Sequence, residues 1–239
     1  MVFTHIARPY VLPSLADVTE GSYWLDDADR PSDKPRVVGP QVADLLVIGG
    51  GFTGLWSAIE AKSTHPHLDV VVVEGDAIAH GASGRNGGFV AASLTHGFGN
   101  GLDWWPDELA TLTRMGRENL DGIEQFVTTH GIDCDWQRVG EINVATEDYQ
   151  VAHLAEYVER AAPYGEEFRW LDGPQVRSRI ASPTYLGGLF DPDGVAICDP
   201  ARLAWGLRDA ALDLGVRIFE HSKVCLLYTS DAADEGLGV

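Results

Sequence analysis

The residues of this chain best suited to chemistry are glycines. Gly49-Gly50-Gly51-Phe52-Thr53-Gly54 carries the spacing Gly-x-Gly-x-x-Gly. Each glycine in such a turn has a steric task. The first permits a tight bend, the second lets a diphosphate approach the backbone, and the third lets a helix pack closely on a strand. The free N–H groups and dipole at the helix start, where Phe52 and Thr53 stand, stabilise the diphosphate charge. Glu74 follows Gly54 by twenty residues. A carboxylate at that spacing accepts hydrogen bonds from a ribose hydroxyl pair and repels a 2′-phosphate. The expected ligand is therefore FAD or NAD, and not NADP.

A second glycine cluster, Gly81-Ala82-Ser83-Gly84-Arg85-Asn86-Gly87-Gly88, is too long and too polar for a simple β-turn. Small residues let a ligand lie against the backbone. Ser83 and Asn86 offer hydrogen bonds and Arg85 offers positive charge. A hydrolase nucleophile elbow is excluded, because Arg85 fills the position where Gly-x-Ser-x-Gly needs its last glycine.

Other chemistry-bearing residues are scattered. The eight histidines contain no His-x-x-x-His helix pair, and Cys134, Cys198 and Cys225 form no Cys-x-x-Cys, so no metal site is expected. His80 adjoins the second glycine loop, and covalent flavin attachment there is the less favoured reading. Trp104-Trp105-Pro106 is expected to anchor the next helix rather than line a substrate entrance. Asp191-Pro192-Asp193-Gly194 resembles a calcium loop only in its first residues, because the remaining ligands are absent.

The elements that must position these residues are legible around them. Asp44 to Ile48 is a short apolar run with the mark of a strand buried on both faces. A helix follows from Phe52 to Lys62, and Leu68 to Glu74, with four consecutive valines, is a second buried strand. Strand, helix and strand in this span make a βαβ unit with a parallel sheet. Further on, the periodicity predicts helices over Pro106–His130, Tyr149–Ala162 and Pro200–Leu214. Residues 134 to 146 read as strand and turn, and Val216 to Glu220 as another strand. Strand fragments between Pro183 and Ile197 are expected to break at Gly187-Gly188 and at the Asp191 turn. Residues 1 to 40 are rich in Pro, Asp and Ser and read as an extended arm that Tyr10, Tyr23 and Trp24 could pin to the folded body.

Composition sets outer bounds. The chain has 239 residues, 45% hydrophobic and 22% charged, as in ordinary globular proteins. With 36 acidic and 17 basic residues its formal net charge is −19. Such a surface repels phosphate backbones and anionic lipid, so nucleic-acid and membrane-surface partners are not expected. No stretch approaches the roughly 18 apolar residues of a membrane span. No signal peptide is read at the start, and a cytoplasmic location is the expectation.

The two glycine motifs together resemble the D-amino-acid oxidase superfamily of FAD-dependent oxidoreductases, most closely its bacterial gamma-glutamylputrescine oxidoreductase-like branch. The likeness spans residues 20 to 224 and continues through Asp199-Pro200-Ala201-Arg202-Leu203. It implies an α/β fold: a Rossmann-like FAD-binding domain at 41–133 and 199–224, with part of an α+β substrate domain at 134–198. It also implies FAD as cofactor, held by Gly49, Gly51, Phe52, Thr53, Gly54, Glu74, Ser83, Arg85, Asn86, Gly87, Gly88 and a backbone group near Val224. The implied reaction is hydride transfer to flavin from a carbon bearing an amine, with oxygen or another electron acceptor. Family members run to twice this length, so the chain reads as an N-terminal half whose substrate-binding and catalytic residues lie mostly beyond Val224.

Two rival readings remain at this point: an inactive fragment that at most binds a nucleotide, and an NAD-dependent dehydrogenase sharing the βαβ unit. Residues 225–239 are expected to be non-biological. Cys225 to Glu235 can be back-translated into DNA resembling a transposase library adapter.

Overall fold

The computed structural model of the protein describes residues 21–227 together with positions 13, 16 and 17. Tyr10 and most of the segment 225–239 thus lie outside the described residues. Leu45–Ile48 forms β1, Phe52–Thr64 forms α1 and Val70–Val73 forms β2. The strands pair in parallel, with Leu45 beside Val70 and Ile48 beside Val73. β-Branched valines favour extended backbone, and all four of β2 are buried. α1 covers one sheet face through Leu55, Ala58 and Ile59. β1 departs from the expected two-faced burial: Leu45 and Val47 pack against the core, but Leu46 and Ile48 are 49% and 50% exposed. β1 is an edge strand, and one of its faces remains open to solvent.

The parallel sheet has the order β1-β2-β9, where β9 is Arg217–Phe219 and pairs with β2 by placing Ile218 beside Val72. Helix α6, Pro200–Asp213, delivers β9 to this position by packing along α1. Its start follows from sequence: the Asp199 carboxylate accepts from the N–H groups of Ala201 and Arg202 at 2.9 and 3.0 Å, and Pro200 fills the first turn. Ala201, Ala204, Leu207 and Ala211 then bury one face of the helix completely.

Two antiparallel sheets lie between these ends of the chain. The first has the order β3-β8-β4, from Phe89–Ala91, Val195–Ile197 and Gln137–Arg138. The second has the order β5-β7-β6, from Glu141–Ala145, Gly187–Asp191 and Arg169–Asp172. Helices α2 (Phe98–Trp104), α3 (Leu109–Thr129), α4 (Asp148–Ala161) and α5 (Gly173–Arg179) connect and cover them. α2, β6 and α5 are absent from the sequence reading, because seven residues or fewer show too little periodicity. Gly187 and Gly188 do not break a strand. They open β7, where added side chains would meet the Trp170 ring at 2.4 Å and the Ile142 methyl at 2.6 Å. Trp104 and Trp105, expected to anchor α3, are 71% and 44% exposed.

The arm from Gly21 onward lies against α6 and the end of β9. Arg202 Nε donates to Asp27 at 2.8 Å, Arg208 donates to the Ser32 carbonyl at 3.2 Å, and His221 Nε2 meets Asp33 at 2.7 Å. The Asp27 carboxyl is held below the usual range by its Arg202 hydrogen bond and then by the Asp29 N–H. Asp33 is lowered by His221 and then by Arg30. Carboxyls with lowered folded pKa contribute stability above their unfolded value, about 3.9, and lose it as pH falls through the folded value. The arm should therefore stay docked at neutral pH and loosen below about pH 4. Amide exchange over residues 24–34 at pH 6 and pH 3.5 checks this, and Asp27→Asn should speed that exchange already at pH 6.

Candidate functional site

The first glycine loop leaves β1 at Gly49, whose φ of +106° lies where only glycine is at ease. Its N–H donates to Val73 O at 2.8 Å, carrying the β1–β2 pairing one residue past the strand end. Gly51 caps α1 without any side-chain cap. The N–H groups of Gly51, Thr53 and Gly54 meet no acceptor among the described residues, whereas Phe52 N–H donates to Ser83 Oγ at 3.0 Å. A helix start with uncapped N–H groups is a seat for an anion. A side chain on Gly51 would press on Ser83 Oγ at 2.9 Å, so the loop surface stays bare only with glycine there.

Ser83 thus joins the two glycine loops, a contact that the sequence reading did not specify. Within the second loop, Asn86 spends its side chain on the loop itself. Its Oδ1 accepts from Gly88 N at 2.8 Å, and its Nδ2 donates to Ser83 O and Ala82 O at 2.8 and 3.3 Å. Arg85 is exposed and its guanidinium lies 3.1 Å from His80 Nε2. The Gly87 N–H meets no acceptor among the described residues. Phe89, directly after the loop, is 75% exposed and borders a groove of about 710 Å³ shared with Phe52, Trp56 and Asn86.

Glu74 is the first residue past β2. Its Oε2 accepts from Gly50 N at 2.7 Å and its Oε1 from Asp76 N at 2.8 Å. Each oxygen keeps a further lone pair, so the carboxylate braces the loop and can still accept from a diol. The neighbouring strand end carries a second acid that the sequence reading missed. Glu220, the first residue past β9, is 2% exposed and pairs with no cation among the described residues. Its Oε1 accepts from Ile78 N at 2.5 Å and its Oε2 from the Lys34 N–H. The available signal was positional: an acid closing an apolar parallel strand, as Glu74 closes β2.

Val224 lies beyond the β9 end, 39% exposed, in a groove with Val37, Leu46, Val71 and Val73 on the open sheet face. Among the described residues no hydrogen bond joins it to either glycine loop. A separate cavity of about 260 Å³ lies between α3, α4 and the second antiparallel sheet. On its wall Arg117 Nη2 pairs with Glu166 at 2.7 Å and with Asp191 at 3.3 Å. Burial opposes the Arg117 charge, but the two carboxylates overcome it and hold the guanidinium even further from deprotonation. Cys134 and Cys198 are buried together, and their mutual hydrogen bond followed by burial pushes the Cys134 thiol up. Among the described residues no helix is long and apolar enough to cross a membrane, and no three His, Cys, Asp or Glu side chains converge on a metal position.

Comparison with known proteins agrees with this geometry. The family described as FAD dependent oxidoreductase, DAO, matches residues 44–238. Gamma-glutamylputrescine oxidoreductase of Escherichia coli is 34% identical over 209 residues, which are 85% of this chain and 47% of that protein. The oxidoreductase OrdL of Haemophilus influenzae is 31% identical over 210 residues, again 85% of this chain and 47% of the relative. The crystal structure of glycine oxidase from Geobacillus kaustophilus superposes with a TM-score of 0.65 at 21% identity, covering 80% of this chain and 50% of that one. The chain therefore spans about half the length of the curated relatives it matches. With its parallel β1-β2-β9 sheet and paired glycine loops, it belongs to the DAO family of FAD-dependent oxidoreductases.

Proposed function

We propose that the protein carrying this chain oxidises the CH–NH bond of a small amine or amino acid with FAD, and that this chain supplies the cofactor cradle. The observation that carries the reading is the junction of the two glycine loops, Ser83 Oγ to Phe52 N at 3.0 Å, beside unpaired N–H groups at the start of α1. The residues present fit such a cofactor. Gly51 leaves the backbone open to a diphosphate, Gly54 lets α1 pack close to β1, the helix dipole favours the diphosphate charge, and Glu74 stands one strand over with lone pairs for a ribose diol. Bound FAD supplies the acceptor for the hydride of the amine-bearing carbon and passes the electrons on to oxygen or another acceptor.

The protein's own part is to hold and to exclude. The N–H groups of Gly51, Thr53 and Gly54 bind anionic oxygens without reorganising, since the loop is already fixed by Gly49 N–H to Val73 and Gly50 N–H to Glu74. Arg85, free of any carboxylate partner among the described residues, adds positive charge at the rim. Positioning of the amine and removal of its proton belong to groups in the portion of the relatives' length that this chain does not span. The cradle corresponds to 41–133 and 199–224, and 134–198 to the nearer part of a substrate-facing domain.

The test is direct. The full-length protein that carries this chain should purify with an absorbance band at about 450 nm that bleaches under anaerobic amine. A colourless protein that ignores added FAD and responds only to NAD would overturn the reading.

A further inference from the structure

We propose that the N-terminal arm is a strap for the cofactor loop, with Ser22 and Trp24 as positioning residues that aim a backbone donor of that loop at the FAD diphosphate. This rests on the FAD reading above and deepens it. Three contacts join the arm to the second glycine loop. Ser22 Oγ donates to Gly84 O at 3.0 Å, Trp24 Nε1 donates to Asn86 O at 2.8 Å, and Leu25 packs where a Gly84 side chain would stand, 2.8 Å from it.

The Trp24 bond carries the argument. Asn86 C=O and Gly87 N–H belong to one planar trans peptide, in which carbonyl and N–H point in opposite directions. A donor fixed on the carbonyl therefore fixes the direction of the N–H. That Gly87 N–H has no acceptor among the described residues, whereas its neighbour Gly88 N–H is taken by Asn86 Oδ1. Gly87 N–H is thus one of the loop donors, with those of Gly81, Ala82, Ser83 and Asn86, that have no acceptor among the described residues, and it is the one whose peptide the arm holds through Trp24. The arm is itself pinned at its far side by Arg202 to Asp27, Arg208 to Ser32, Glu220 to the Lys34 N–H, and Ser222 to the Val37 N–H. Anchors on α6 and on the β9 end, on either side of the cradle, make a strap rather than a loose tail. Tyr23, between the two clasping residues, is 85% exposed and faces solvent.

Ser22→Ala and Trp24→Phe each remove one donor while keeping most of the side-chain volume. In the parent protein stripped of FAD and titrated with FAD, each variant should bind about fivefold more weakly and the double variant about twentyfold, one net hydrogen bond apiece. Activity at saturating FAD should return to the unmodified level, and the melting temperature of the FAD-free protein should fall by no more than the about 2–4 °C that one net hydrogen bond contributes per substitution. Equal FAD affinity in variants and unmodified protein would overturn the strap. So would a weakening of FAD binding that vanishes when affinity is measured well below each variant's FAD-free melting temperature, since that marks mere structural support. An unmodified protein that binds no FAD would instead overturn the cofactor reading itself, and the strap with it.

Discussion

Gly54→Val in the parent protein is expected to abolish retained flavin and to lower stability by about 3 kcal/mol, an overpacking cost at the upper end of the usual range. A side chain at this position would stand 2.0 Å from Gly49 O and 3.2 Å from a Val47 methyl. The Gly49 carbonyl is backbone, and it cannot swing aside without moving the turn whose N–H holds Val73. Relief requires α1 to lift from β1, which carries the N–H groups of Gly51 and Thr53 away from any diphosphate. FAD affinity should fall by about 100-fold or more, equivalent to roughly 2.7 kcal/mol. Gly122, within α3, is a control because a side chain there meets nothing within 4 Å. Gly122→Ala should keep the flavin and raise stability by up to about 1 kcal/mol through helix propensity. Absorbance of the purified variants, with thermal melts with and without FAD, decides the matter. A yellow Gly54→Val protein would show that the loop is not a diphosphate seat.

Glu220→Ala should destabilise the fold by about 3 kcal/mol, although its carboxylate touches no ligand position. Hydrogen bonds to a charged acceptor contribute about 1.5–3 kcal/mol each, and removing the acceptor leaves buried N–H groups unsatisfied. Two such bonds are lost, from Ile78 N and Lys34 N, at a side chain 2% exposed. For a chain of this size each 1 kcal/mol shifts the melting temperature by about 2–4 °C, so a fall of roughly 6–12 °C is expected. Amide exchange should rise specifically at Ile78 and Lys34. Glu220→Gln keeps one acceptor oxygen and should recover about half the loss. A melting temperature within 1–2 °C of the unmodified protein would mean that these N–H groups find water instead.

The parts of this protein that sequence made legible share a physical character. The βαβ start was readable because its signals are local: four valines, a glycine spacing, and an acid just past β2. Helices α3, α4 and α6 were readable because each is long enough to display a periodic apolar face. The reading failed where an element was short, as at α2 and α5, or where a local rule met a tertiary override. Gly187 and Gly188, turn formers by composition, sit in a strand because the Trp170 ring and Ile142 need the space. Asn86, read as a hydrogen-bonding group for a ligand, also staples its own loop, which no local pattern announced.

Sequence by itself determined the glycine turns and the helix start of the proposed diphosphate seat, since these act through backbone within a few residues of themselves. Only the tertiary structure decided what holds that seat in shape. Trp24 and Asn86 are 62 residues apart, Phe52 and Ser83 are 31 apart, and Lys34 and Glu220 are 186 apart. These pairs meet because α6 packs on α1 and returns β9 beside β2, setting two strand ends and the arm against one loop. No local propensity encodes such meetings, because their energy comes from apolar faces buried far away along the chain.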